Sequence, residues 1–180
     1  MKTIFLDRDG VINEDIGYIG HWRDFKFING SVKALQKLTK NHFRIIIVTN
    51  QSGIARGYFT KDNFETLTKK FVEFCNQNQI EILNTFFCPH HIEGIVDHYS
   101  KHCNDRKPNP GMFLRAAKIY NINLKKAIMV GDKLTDIIAS SNAGIKKNFL
   151  VNTDKINAIN KNINFEIKAN LLEVTNEILK

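Results

Sequence analysis

Cysteine is scarce in this chain: three among 180 residues, an odd number. Three thiols cannot all pair, so a disulfide scaffold is not what holds the fold together. Long apolar stretches are missing too. The longest runs, residues 45–48 and 127–130, have four residues, whereas a membrane-spanning helix needs about 20. The first ten residues, MKTIFLDRDG, carry acids where an export signal needs an apolar stretch. No lysine block of five or more occurs, so the basic excess reads as a solvated surface. What is present is a globular composition, 43% hydrophobic and 24% charged, with enough apolar side chains for a core. A domain takes roughly 100–200 residues. The expectation is therefore one domain over residues 1–180, cytoplasmic and monomeric, with no membrane partner.

The net charge is +8, from 26 Lys plus Arg against 18 Asp plus Glu. Such a balance suits anionic partners. Only six of the 26 are arginine. Arginine's planar fork binds phosphate or carboxylate oxygens in pairs, and Arg8, Arg56 and Arg106 lie in segments that stand out on other grounds. No basic stripe interleaved with aromatics is visible, so a single-stranded nucleic acid is not an expected partner.

Strand and helix patterns alternate. Residues 3–7 (TIFLD) and 44–49 (RIIIVT) read as buried strands, residues 83–88 (LNTFFC) as a third, 127–130 as a fourth and 148–151 as a fifth. Between them, Ser31 is placed to cap one helix and Thr60 a longer one carrying Phe64, Leu67, Phe71 and Phe74. Asn109-Pro110 is a helix start, and Gly144 closes a helix that runs through about Asn142. Residues 154–164 are polar and read as a loop, and residues 170–180 as a terminal helix with Leu171, Val174 and Ile178 inward. This alternation predicts an α/β fold, a doubly wound and mostly parallel sheet. Ligands of such sheets sit at the carboxyl ends of the strands.

Those ends carry the chemistry. The first strand ends in Asp7-Arg8-Asp9-Gly10, where Asp7 and Asp9 share a face because extended residues two apart point the same way. The second ends in Thr49-Asn50-Gln51-Ser52-Gly53, a turn of hydroxyls and amides. The fourth ends in Gly131-Asp132, with Asp136 four residues on and on the same side of a starting helix. Arg106-Lys107-Pro108 precedes another helix. Gathering Asp7, Asp9, Asp132 and Asp136 is costly unless a cation sits among them, and hard carboxylate oxygens suit Mg²⁺. Carboxylates, a divalent ion, a hydroxyl and a lysine together make a phosphoryl-transfer site.

A second cluster surrounds the third strand's end. Cys88, His90, His91, His98, His102 and Cys103 hold two of the three cysteines and four of the six histidines. Cys88-x-His90 followed by Cys103 has the character of a zinc loop, which would occupy residues 88–109. Cys75, on the helix after Thr60, reads as core filler. No insertion is long enough for a separate cap domain, so residues 11–30 and 89–109 are the candidate flaps over the site.

At this point the chain resembles the haloacid dehalogenase superfamily of aspartate-nucleophile phosphohydrolases. FLDRDGVIN, VTNQSGIARG, CPHH, RKPNPGM and MVGDKLTD are similar to its branch of heptose-bisphosphate and histidinol-phosphate phosphatases. The resemblance implies Asp7 as nucleophile and Asp9 as acid–base. It implies Mg²⁺ held by the Asp7 carboxylate, the Asp9 backbone carbonyl and Asp132, with Asp136 orienting the metal shell or Lys107. Thr49 and the Asn50 N–H would bind phosphoryl oxygens, and Lys107 would offset their charge. The segments Asp15, Ile16, Gly17, Tyr18 and Thr49, Asn50, Gln51, Ser52 would contact a phosphorylated sugar, with Arg56 and Arg106 on its remainder. The family's zinc loop has Cys-x-His and then Cys-x-Cys. Here Asp105 stands at the last position and becomes the expected fourth ligand, with His98 or His102 as substitutes. A second departure is Val11, where the family often has threonine.

Overall fold

The computed structural model describes residues 2–152 and 164–180. The chain order is β1 (Thr3–Leu6), α1 (Ser31–Lys40), β2 (Arg44–Asn50), α2 (Lys61–Gln77), β3 (Ile82–Cys88), α3 (Gly111–Tyr120), β4 (Ile128–Gly131), α4 (Leu134–Asn142), β5 (Lys147–Val151), β6 (Glu166–Lys168) and α5 (Leu171–Ile178). One sheet runs β3-β2-β1-β4-β5-β6. All its pairings are parallel, so the doubly wound expectation holds.

The inner strands are buried on both faces, which is why they read as continuous apolar runs. Their side chains split with a period of two. Ile4, Leu6, Ile45 and Ile47 face a core with Leu35 and Leu38 of α1, Phe71 of α2 and Val174 of α5. Phe5, Ile46 and Val48 face the opposite core, with Met112, Phe113 and Ala116 of α3 and Ala139 of α4. Residues 11–30 follow β1 as a flap. Trp22, Phe25 and Phe27 pin its far end to Phe71 and Phe74 of α2 through ring contacts of 4.6 to 6.3 Å.

Thr60 caps α2 as expected, in a reciprocal box with Asn63. Two caps differ from expectation. The cap of α1 is Gly30, at φ 84, and Ser31 is already helical, its hydroxyl buried without a partner. The left-handed turn that launches α1 suits glycine, and a Cβ on Gly30 would lie 3.0 Å from Leu172. Likewise α3 starts at Gly111 with Pro110 as its cap, while the Asn109 amide donates to the Cys103 carbonyl at 3.1 Å. Strand β6 was not expected: three residues at the sheet edge are too few to show a period. The loop expected over 154–164 lies, but for Asn164, outside the described residues. Among the described residues no helix is long and apolar enough to cross a membrane.

The two edges of the sheet differ in charge. At the amino ends, Lys2 precedes β1, Lys125 and Lys126 precede β4, and Lys146 and Lys147 open β5. These five exposed lysines line one cleft of about 640 Å³. None enters an ion pair among the described residues. Glu166 lines the same cleft, while the carboxyl ends lead into Asp7, Asp9, Asp132 and Asp136.

Candidate active site

Asp7 sits just past β1, its N–H bonded to the Val130 carbonyl at 2.9 Å. One carboxylate oxygen accepts from the Arg8 N–H at 2.7 Å. Alternation turns Arg8 inward, where it is 2% exposed. Its guanidinium lies over the Phe25 and Phe64 rings and grips the Asp9 carboxylate at 3.0 Å. Asp9 also accepts from the Asn13 amide at 2.8 Å and the Gln51 amide at 2.9 Å. Three residues therefore fix one carboxylate, and Asp7 and Asp9 both face the cleft. Gly10, at φ 84, lets the chain turn against Asp132: a Cβ there would stand 2.4 Å from the Asp132 carboxylate.

From β2, the Thr49 hydroxyl accepts from Gln51 at 2.9 Å, so Gln51 ties Thr49 to Asp9. Asn50 grips the backbone of Lys107 twice, donating to its carbonyl and accepting from its N–H, each at 3.1 Å. Lys107 is 3% exposed. Its ammonium donates to the Val48 carbonyl at 2.9 Å, lies 3.0 Å from Asp7, and touches Asp136. Burial works against its charge, but Asp136 and Asp7 more than offset that and raise its pKa.

The acids outnumber that cation. Burial pushes the Asp7 carboxyl up to about 6, Lys107 resisting and Asp136 adding. Burial, then Asp7 and Asp136, push Asp132 up to about 7. Asp7, Asp132 and Asp136 offer oxygens that all lie within 4.8 Å of one another. One Asp132 oxygen is buried with no hydrogen-bond partner. An orphaned acceptor among crowded hard oxygens fits a divalent cation such as Mg²⁺. Asp136 is already engaged: it accepts from the Lys133 N–H at 3.0 Å, capping α4, and pairs with Lys107. That suits an orienting role better than direct ligation.

Asp7, Asp9, Thr49 and Lys107 line a cleft of about 470 Å³. Asp15, Gly17, Tyr18, Asn50, Gln51, Ser52 and Arg106 line it as well. Three expected residues do not: Ile16, Arg56 and Asp132, whose oxygens lie beside those of Asp7 and Asp136. Ile16 is 62% exposed, at the tip of its loop. Arg56 turns to Glu93 at 3.0 Å and His91 at 3.2 Å, because a carboxylate and an imidazole lie nearer to it than the cleft. Lys133 and Thr135 line the cleft and were not anticipated. Lys133 bridges Asp15 at 2.9 Å and Asp132 at 3.5 Å. Its signal was its place, directly after a strand-end aspartate.

Cys88, His90 and Cys103 also converge, their ligand atoms within 4.8 Å of one another. Asp105 does not join them; it pairs with Arg115 of α3 at 3.0 Å. Neither His98 nor His102 belongs to the cluster among the described residues. Arg106 donates to the His90 carbonyl at 3.2 Å, which links this loop to the cleft. Cys75 is buried on α2, in the core as expected.

With this geometry in view, residues 6–171 match the family described as polynucleotide kinase 3 phosphatase. The chain belongs to this family of haloacid dehalogenase-type phosphatases. A Pasteurella multocida protein named D-glycero-beta-D-manno-heptose-1,7-bisphosphate 7-phosphatase is 46% identical over 154 residues, covering 86% of this chain and 83% of that protein. A Photorhabdus laumondii protein named for the alpha form is 44% identical, covering 85% of this chain and 84% of that protein. Among solved structures, D,D-heptose 1,7-bisphosphate phosphatase from B. bronchiseptica, complexed with magnesium and phosphate, superposes with a TM-score of 0.86 at 29% identity, covering 99% of this chain and 98% of that one. The haloacid dehalogenase-type resemblance read from the motifs is borne out.

Proposed function

We infer that this phosphatase hydrolyses the 7-phosphate of D-glycero-D-manno-heptose 1,7-bisphosphate with Mg²⁺, a step in making ADP-heptose for the lipopolysaccharide core. The gathering of Asp7, Asp9, Thr49 and Lys107 at one cleft, with Asp132 beside Asp7, carries this reading. The names of relatives 44–46% identical support the substrate.

Asp7 attacks phosphorus. The bond to the sugar oxygen breaks, and that oxygen takes its electron pair and a proton from the Asp9 carboxyl. Water then attacks the aspartyl-phosphate and gives a proton to Asp9. The bond to Asp7 breaks, inorganic phosphate leaves, and the Asp7 carboxylate and Asp9 carboxyl are restored. Thr49 and the Asn50 N–H hold phosphoryl oxygens. Lys107 offsets charge on the phosphate and on Asp7. Asp7, Asp132 and the Asp9 carbonyl would hold Mg²⁺, which supplies further charge neutralisation at the phosphoryl group. Arg106 reaches the rest of the sugar.

Cys88, His90 and Cys103 would hold a structural zinc, with Asp105 excluded by its pair to Arg115. That ion would pin the loop leading into Arg106-Lys107. Metal analysis of gently purified protein should find about one zinc per chain; a value far below that rejects the site.

The decisive assay is phosphate release from both anomers of the heptose bisphosphate, histidinol phosphate and 3′-phosphorylated oligonucleotides, with and without Mg²⁺. A heptose anomer is expected to be the best substrate. Asp7→Asn should lower turnover by about 10⁴-fold or more while keeping the circular dichroism of the fold. Wild-type activity in that variant rejects Asp7 as nucleophile.

A further inference from the structure

The segment from Asp15 to Tyr18 lines the cleft and is held from both sides. On one side Asp15 pairs with Lys133 at the start of α4, at 2.9 Å. On the other, Tyr18 packs on Tyr58 from the loop after β2, with ring centroids 4.4 Å apart and planes 30° apart. Tyr18 lines the cleft and Tyr58 does not. Both rings stay half in water, 50% and 63% exposed, so hydrophobic burial alone does not explain the pair.

The base of this arrangement is rigid. Phe59, 6% exposed, wedges between Gly20 and Gly53. A Cβ at either glycine would fall within 2.4 Å of its ring. That seat fixes where Tyr58 projects, and it joins the end of the Asp15–Tyr18 segment to the β2 loop. Only the tip is bare: Gly17, at φ 108, has nothing within 4 Å of its Cβ direction.

We propose that Tyr58 and Lys133 strap this segment across the cleft mouth, and that Tyr58, through Tyr18, positions the sugar of the substrate. An aromatic face beside a phosphoryl site suits the C–H face of a polyhydroxylated ring. Tyr58 is thus a positioning residue, and Tyr18 is the ring that meets the ligand. The sugar half of this inference rests on the substrate reading above; the strap half does not.

The test compares wild type, Tyr58→Ala and Tyr58→Phe on the heptose bisphosphate and on acetyl phosphate, a phosphoryl donor without a sugar. An aromatic pair of this kind is worth roughly three- to tenfold. The kcat/KM ratio, bisphosphate over acetyl phosphate, should fall by about that factor in Tyr58→Ala, through KM. Tyr58→Phe should restore the ratio, because stacking needs the ring and not the hydroxyl. Amide hydrogen exchange over residues 14–19 should quicken in Tyr58→Ala and stay at the wild-type rate in Tyr58→Phe. An unchanged ratio or unchanged exchange overturns the proposal. Hydrolysis of acetyl phosphate but not of the bisphosphate by wild type rejects the substrate reading instead, and exchange alone then decides the strap.

Discussion

Replacing Lys107 with methionine tests the electrostatic logic of the site without any substrate. The ammonium is nearly sealed from solvent and satisfies the Val48 carbonyl at 2.9 Å, Asp7 at 3.0 Å and Asp136. Methionine fills a similar volume but leaves two carboxylates facing each other without their cation. Removing one partner of a buried pair costs about 3–5 kcal/mol, because the stranded charge remains. Against a typical total of about 5–15 kcal/mol, that is a large loss. At roughly 2–4 °C per kcal/mol for a chain of this size, the midpoint should fall by about 6–20 °C. Urea and thermal denaturation in Mg²⁺-free buffer would measure it. The double variant is a sharper test. Adding Asp136→Asn removes one stranded charge yet keeps an oxygen for the Lys133 N–H. Lys107→Met with Asp136→Asn should therefore be more stable than Lys107→Met alone, while phosphatase activity stays lost in both. A single-variant loss below about 1 kcal/mol, the worth of an exposed pair, would refute the reasoning. So would a double variant no more stable than the single.

Two other substitutions and reagents probe separate parts of the molecule. Gly10→Ala places a methyl 2.4 Å from the Asp132 carboxylate at φ 84; the left-handed turn alone costs roughly 1–2 kcal/mol, and displacement of Asp132 should raise the Mg²⁺ concentration needed for half-maximal activity. Burial pushes the Cys75 thiol up to about 12, so iodoacetamide at pH 8 should leave Cys75 unmodified in the folded protein and alkylate it in urea, as peptide mass mapping would show. The same raised value has a stability sign: its contribution is intact below the unfolded thiol's pKa near 9 and is lost as pH climbs from there towards 12. Denaturation midpoints should accordingly decline above pH 9, and less so in Cys75→Ala.

How much of this was legible from the chain alone follows a physical divide. Burial leaves a period, so the inner strands and the helices over them could be read to within a residue or two. The strand-end aspartates and Thr49 were legible because a parallel sheet puts its ligands at one edge, and because local geometry sets where Asp7 and Asp9 point. Partner choice by long charged side chains leaves no such trace. Arg56 was expected at the substrate and binds Glu93. Asp105 was expected at a metal and binds Arg115. Lys133 was overlooked and reaches the cleft. In each case the outcome depends on which opposite charge lies within one side chain's length after folding. Ile16 lies outside the cleft lining for a simpler reason: on a tight exposed loop, adjacent residues need not face the same way. Strand β6 is too short and polar to announce itself.

The five exposed lysines at the amino ends of the strands lie at the opposite edge of the sheet from the acids that follow β1 and β4. On a sulfonated bead, that lysine edge offers a place of attachment that leaves the strand-end acids uncovered. A molecule held there keeps those acids toward the liquid, so immobilisation by ion exchange is expected to retain turnover without an engineered tag.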